Sequence, residues 1–278
     1  MTELKVLHWN ILAEISADNT EMGFPHTPPV YLNWENHRKQ KVIEMIRDED
    51  PDIMGLVEVD KQQLNDLKKE FSSKYHIEHY FKYSKNENGE FKEDSTKEGS
   101  MILIKKSIIE SYNNISFNIE GYSQICNGIY FIIDRIPVIF LSLHLKAKSN
   151  FTQNRINQVR SVKKLLNSFQ RDKFGIFNQS RIIIAGDFND DPDSVPIKMM
   201  LDNYQMISDR SRLTTFKRRL VYKKTTIDYI FGSHNVKVVN SDVPKEYLAH
   251  APQCQENAFP CEEFPSDHLY LTAKVKLY

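Results

Sequence analysis

Glycine is scarce in this chain, with nine in 278 residues. Soluble proteins carry about 7% glycine, so few positions here are set aside for backbone that hugs a ligand. Neither G-x-x-x-x-G-K nor G-x-G-x-x-G occurs. A bound phosphate would be held by side chains or a metal, not by a glycine-rich loop. Cysteine is scarcer still: Cys126, Cys254 and Cys261. Three are too few for a disulfide framework, and none forms a C-x-x-C pair for zinc. Free thiols are expected. No apolar run approaches the ~18 residues needed to span a bilayer. The N-terminal residues have no signal-peptide or transit-peptide character. A reducing, cytoplasmic location off the membrane is the expectation. Charge of one sign is missing too. The 37 Lys and Arg face 37 Asp and Glu, a formal net charge of zero. That excludes a protein that coats nucleic acid by bulk charge.

What is present suits a globular enzyme-sized domain. Hydrophobic residues make up 40% and charged residues 27%, and a chain this long buries a sizeable core. Lys5–Asn10 reads as a strand, and Trp34–Asp50 as a helix stopped by Pro51. Asp52–Val59 is an apolar strand. Asp60 with Gln63 forms a capping box that opens the next helix. Residues 82–98 are polar and charged, as in an exposed loop. Met101–Ile104, Ile129–Ile133, Val138–Leu143, Arg181–Phe188, Thr226–Phe231 and Val236–Val239 read as strands. Asn154–Gln170 carries the clearest helical stripe. Leu269, Leu271, Ala273, Val275 and Leu277 alternate at period two. No low-complexity linker divides the chain, so 1–278 is expected to form a single domain of layered α/β class.

The apolar strands repeatedly end in polar residues. Asn10 closes the first and Glu58 lies near the end of the second. His144 ends VIFLSLH, Asp187 and Asn189 end IIIAGDFN, Asp228 lies in TTIDYIF, and Asp267 and His268 open DHLYL. Any one of these could cap a turn. So many together ask for a different account, because buried ionisable groups are costly without partners. Active sites in sheet-based α/β proteins gather at strand ends. The oxygen donors favour Mg²⁺ or Mn²⁺ over zinc. Such an ion polarises a phosphoryl oxygen. A neutral Asn can orient a nucleophile without repulsion. One His can stabilise the developing charge, and another can be held in one tautomer by an Asp. These are the parts of metal-assisted phosphate-ester hydrolysis.

The same motifs, in this order, resemble the endonuclease/exonuclease/phosphatase superfamily: LHWNILA, DIMGLVEVD, LSLHLKAK, AGDFNDDP, TTIDYIF and PSDHLYL. The resemblance is to its deadenylase-like branch, and within that to nocturnin-like members. It implies a four-layer α/β sandwich, two packed mixed sheets flanked by helices. It implies Mg²⁺, with Mn²⁺ as a substitute, held by Glu58 with Asn10 and Asp267 close by. Asp187 would position the attacking water, with Asn189 in support. His144 would stabilise the phosphoryl oxygens, His268 would contact the scissile phosphate, and Asp228 would orient His268. Lys146 and Arg219 match substrate-phosphate residues, and Phe216, in place of a Trp, keeps an aromatic face open equally to base stacking or to core packing. Lys148 replaces an Arg, which loses bidentate contact. The implied activity is 3′-to-5′ exoribonuclease action on poly(A). Alternatives are an NADP(H) 2′-phosphatase, a 2′,5′-oligoadenylate phosphodiesterase, an abasic-site endonuclease, or a binding module that has lost catalysis. The partner is thus an adenylate-containing substrate, either an RNA 3′ end or a dinucleotide, and the chain is expected to be a monomer.

Charge is distributed to match. Ile136–Gln170 holds no acidic residue, and Arg210–Lys224 holds seven Lys or Arg and no acid. Both stretches adjoin proposed catalytic segments, so they are read as a phosphate-binding rim.

Overall fold

The computed structural model describes residues 2–18, 20, 23–119, 122–170, 180–209, 211–218, 222–244 and 259–278. The chain opens with β1 (Thr2–Asn10) and the short α1 (Pro29–Leu32), which starts on a proline that needs no N–H partner. Trp34–Arg38 then winds as one π-type turn, with Arg38 N–H bonded to Asn33 O at 3.1 Å. It runs into α2 (Lys39–Glu49), which ends at Asp50 with φ 43°. The helix expected over 34–50 is therefore two differently wound pieces. The wider turn brings Arg38 inward, as described below. β2 (Ile53–Val59) follows, and Asp60 and Gln63 cap α3 (Lys61–Phe71) reciprocally, as the sequence indicates.

Residues 82–98 do not form a loop. After β3 (Tyr75–Phe81) comes a hairpin of β4 (Tyr83–Lys85) and β5 (Phe91–Glu93). Its turn is closed by Gly89 N–H on Asn86 O, with Gly89 at φ 79°. Both faces of this ribbon are largely polar, so no period-two signal marks it. The chain continues through β6 (Gly99–Lys105), β7 (Ser111–Asn114), β8 (Phe117–Asn118), β9 (Ile125–Ile133) and β10 (Ile136–His144). Next are α4 (Thr152–Gln170), β11 (Arg181–Asp187), α5 (Val195–Leu201) and β12 (Gln205–Met206). The last elements are β13 (Thr215–Arg218), β14 (Tyr222–Thr225), β15 (Asp228–Gly232), β16 (Val236–Asp242) and β17 (Leu271–Leu277).

Two mixed sheets result. The first has the order β16-β17-β1-β2-β6-β3, and the second β12-β15-β11-β10-β9-β7. Strand alternation decides what each face buries. Leu4 and Val6 of β1, Val138 and Phe140 of β10, Ile183 and Ala185 of β11, and the odd-numbered residues of β17 form one core between the sheets. The opposite face of the first sheet packs Leu7, Trp9, Met54 and Leu56 against α2 and α3. The opposite face of the second packs Ile139, Leu141, Ile182 and Ile184 against α4 and α5. The four layers are helix, sheet, sheet, helix.

The thiol expectation is half corrected. Cys126 is a free, buried cysteine, and burial pushes its thiol up. Cys261, in contrast, is disulfide-bonded. Among the described residues no helix is long and apolar enough to cross a membrane.

Candidate active site

The inter-sheet stripe runs on into polar residues at one end of the sandwich. Leu4 and Val6 share a face with His8 and Asn10. Val138 and Phe140 share one with Ser142 and His144, and Ile183 and Ala185 with Asp187. Ile230 shares its face with Asp228 on β15. Neighbouring strands then bring these ends side by side. His144 is the register partner of Asp187 across β10 and β11, and Asp187 that of Asp228 across β11 and β15. Asn10 joins from the facing sheet.

Glu58 breaks the rule. Its parity is that of Met54 and Leu56, which face α2 and α3. The β2–β6 register slips here, with Val57 opposite Ser100 and Val59 opposite Gly99. Glu58 is the extra residue, in the left-handed region at φ 56°. A bulge of this kind re-aims one side chain, and it turns Glu58 toward the second sheet.

Asp187 sits at the centre. Asn10 Nδ2 donates to Glu58 Oε1 at 2.8 Å and to Asp187 Oδ2 at 3.1 Å. Asn189 N–H donates to Asp187 Oδ1 at 2.9 Å. His144 Nε2 lies 3.8 Å from Asp187 Oδ2 and 3.9 Å from Glu58 Oε1. His268 Nε2 lies 3.8 Å from the same Asp187 oxygen. The other nitrogen of His268, Nδ1, is 2.9 Å from Asp228 Oδ2. Burial would push the Asp228 carboxyl up. His268 first, by charge and hydrogen bond, and then His8 outweigh that and hold it well below the usual carboxylate range.

Two overlapping trios have ligand atoms within 4.8 Å of one another: Glu58, His144 and Asp187, and Asp187, Asp228 and His268. Glu58, Asp187 and Asp267 also line one cavity of about 240 Å³. Carboxylate oxygens facing a shared cavity fit a hard divalent cation. Asn10 is held in one amide orientation. Its Oδ1 accepts the Leu12 backbone N–H at 3.1 Å, a group that can only donate. That fixes the amide with its nitrogen toward Glu58 and Asp187, where it bridges the two carboxylates. Asn189 turns its own amide nitrogen to Leu145 O at 3.1 Å, which ties the ends of β10 and β11 together.

The substrate-side residues fare unevenly. Lys146 is half-buried, lines the cavity, and holds its ammonium 5.0 Å from the Phe151 ring centre. Arg219 lies outside the described residues. Phe216 cannot stack on a base: it is 3% exposed and packs edge-on against Phe259 at 5.3 Å, in the core beneath α2 and α3.

Several residues of the site escaped the sequence reading. His8 Nε2 meets Asp228 Oδ1 at 3.2 Å, and Thr214 Oγ1 donates to Asp228 Oδ2 at 2.7 Å. The parity of His8 with Asn10 was the available signal. Arg38 is fully buried. It donates to the carbonyls of Leu32, Ile11 and Leu12 and to Glu14 Oε2. It thus pins the chain just beyond Asn10. Lys82 and Glu98, an ion pair flanking the β4–β5 hairpin, line the cavity. Nothing in their local pattern marks them, because the approach is tertiary.

Against known proteins, the model of the Endonuclease/Exonuclease/phosphatase family matches residues 7–268. The chain belongs to this family. All the strand-end residues above fall inside the matched span. Nocturnin of Drosophila melanogaster is 20% identical over 317 residues, covering 99% of this chain and 47% of that protein. This chain therefore spans about half the length of that relative. Among solved structures, ANGEL2, described as a 2′,3′-cyclic phosphatase and bound to adenosine-2′,3′-vanadate, superposes with a TM-score of 0.79 at 17% identity, covering 99% of this chain and 96% of that one. The human Nocturnin catalytic domain with bound sulfate gives 0.71 at 20% identity, covering 99% and 94%. Truncated Caenorhabditis elegans TDP2 gives 0.66 at 19%, covering 98% and 97%. At these identities the structures speak for the shared fold.

Proposed function

We propose that this chain is a divalent-metal-dependent phosphoesterase acting at the 3′ end of adenylate-rich RNA and releasing 5′-AMP. The observation that carries the reading is the convergence on Asp187. Glu58, Asn10, His144 and His268, drawn from both sheets, surround one carboxylate beside a cavity with Lys82 and Lys146 on its wall. In hydrolysis a water oxygen bonds to phosphorus, the P–O ester bond breaks, and the departing oxygen takes a proton. Asp187, held by Asn10 and Asn189, is placed to accept the proton of the attacking water. His144 Nε2 is placed to face the phosphoryl oxygens. Asp228 accepts from His268 Nδ1 and so fixes that ring, leaving Nε2 on the Asp187 side. Glu58, with Asp267 and Asn10 close by, would hold Mg²⁺ or Mn²⁺, which would supply charge neutralisation on the phosphoryl group.

A second reading has one observation in its favour. A cavity of about 240 Å³ is small beside the ~300–1,000 Å³ usual for ligand pockets. That suits a terminal phosphate on a small nucleotide, such as the 2′-phosphate of NADP(H) or a 2′,3′-cyclic phosphate. Purified protein with Mg²⁺ separates the readings when offered oligo(A), mixed RNA, 2′,5′-oligoadenylate, NADPH and adenosine 2′,3′-cyclic phosphate. Laddering of oligo(A) is the expected result. Phosphate release from NADPH alone would favour the second reading. Glu58→Ala and Asp187→Ala are each expected to lower turnover at least ~100-fold without loss of fold. Full activity in either would refute the site.

A further inference from the structure

Gln124 is not among the residues assigned a role above, yet it lines the same cavity and is 4% exposed. Its orientation follows from a relay of three groups. The backbone N–H of Lys146 donates to Gln158 Oε1 at 3.0 Å. A backbone N–H cannot accept, so the Gln158 amide is fixed, with Nε2 on the other side. That nitrogen donates to Gln124 Oε1 at 2.9 Å. The oxygen of Gln124 is thereby taken up, and Nε2 is the group left over. Among the described residues no acceptor meets Nε2. That amide nitrogen is open to the cavity and offers two N–H donors to an acceptor bound there.

We propose that Gln124 is a substrate-binding residue whose Nε2 donates to a phosphate oxygen of the bound nucleotide. The inference rests on the phosphoesterase reading and adds a specificity-determining contact to it. A phosphate oxygen fits better than a base or sugar group because Lys146, whose backbone N–H anchors the relay, lines the same cavity. The relay explains why the donor is pre-oriented. Gln158 lies on the first half of α4 and holds both the Gln124 amide and the backbone of Lys146.

Equilibrium binding of 5′-AMP and of adenosine, measured by calorimetry with Mg²⁺ present, tests this. Gln124→Met removes the donors without adding charge. Gln124→Glu keeps the acceptor that Gln158 needs but replaces the donors with a carboxylate. A hydrogen bond to a charged group is worth a factor of about ten or more in affinity. Both variants are therefore expected to weaken AMP at least ~10-fold, the Glu variant more, while adenosine changes less than ~2-fold. Thermal unfolding of each variant guards against simple misfolding. Gln158→Leu, which frees the Gln124 amide to flip, is expected to weaken AMP by a smaller factor. Unchanged AMP affinity in both Gln124 variants would overturn the proposal and leave the enzyme reading standing. So would an equal loss for adenosine. Failure of the unaltered protein to bind AMP at all would overturn both.

Discussion

Asp228 receives hydrogen bonds from three groups: His8 Nε2, Thr214 Oγ1 and His268 Nδ1. All of this is fully or nearly fully buried. A carboxylate so held is a fixed negative charge that orients an imidazole. Asp228→Asn preserves the shape and loses that charge. An Asn can present either oxygen or nitrogen to His268 Nδ1, so the ring's tautomer is no longer set. Turnover is expected to fall ~10²–10⁴-fold, with a KM change under threefold. Steady-state kinetics on whichever substrate the panel identifies, beside a thermal melt, checks it. A drop that appears only in KM would mean that Asp228 serves binding. At this scale the sequence was most legible where a polar residue continued an apolar stripe, as Asn10, His144, Asp187 and Asp228 do. It was least legible where meaning depends on a partner far along the chain. Phe216 is open in the sequence to stacking or to core packing, and only the packing of Phe259 against it decides for the core.

Elements succeed or fail by whether their burial is one-sided. β1, β2, β9, β10 and β11 are buried along most of their length and announce themselves as apolar runs. β3 does not, because it is an edge strand of which only Tyr75 is fully buried. The bulge at Glu58 was equally silent, since parity alone points that side chain at the helices. β3 also carries a pH-sensitive group. His79 Nε2 faces Val59 O at 3.4 Å, and its ring lies edge-on to Phe81. Burial holds the imidazole down to about 4, against a partial lift from the Val59 carbonyl, and the Lys68 charge lowers it further. The unfolded chain binds a proton at His79 below about pH 6.5, whereas the folded chain does not until near pH 4. Stability from this group is thus full above about pH 6.5 and is lost as pH falls toward about 4, a total of about 3 kcal/mol. His79→Phe is expected to flatten the wild-type slope of urea stability between pH 7 and 4.5. Parallel slopes in the two proteins would exclude this origin.

The whole molecule is two half-sites brought into register by two sheets. The first sheet contributes Asn10 and Glu58, and the second His144, Asp187 and Asp228. The zero net charge and the shortage of glycine take on meaning at this scale. Acidic groups are drawn in around Asp187, and Lys146 alone of the described basic residues in the acid-free stretches lines the cavity beside them, while Arg160, Lys163 and Lys164 line a separate one. One of the nine glycines is decisive, because it sets how closely the sheets approach. A Cβ built on Gly55 of β2 would lie 2.7 Å from Ser142 Oγ and 3.0 Å from Ser142 Cβ on β10. Ser142 is itself hydrogen-bonded to Ser100 Oγ at 3.0 Å, so it is not a loose end that can swing away. Gly55 precedes Glu58 by three residues, and Ser142 precedes His144 by two. Gly55→Ala must therefore push apart the strands that carry the two halves of the site. Overpacking of this kind costs about 1–3 kcal/mol, and a shift of well under 1 Å between Glu58 and Asp187 should lower turnover as well. Ser142→Gly alone opens a small void and leaves Ser100 without its partner. Combined with Gly55→Ala it moves the methyl from one strand to the other and restores the spacing. The double variant is expected to be more stable and more active than the sum of the single losses predicts, with a coupling of about 1 kcal/mol or more in urea titrations. Strict additivity, or a Gly55→Ala protein that keeps full turnover, would mean that the distance between the sheets does not set the geometry at Asp187.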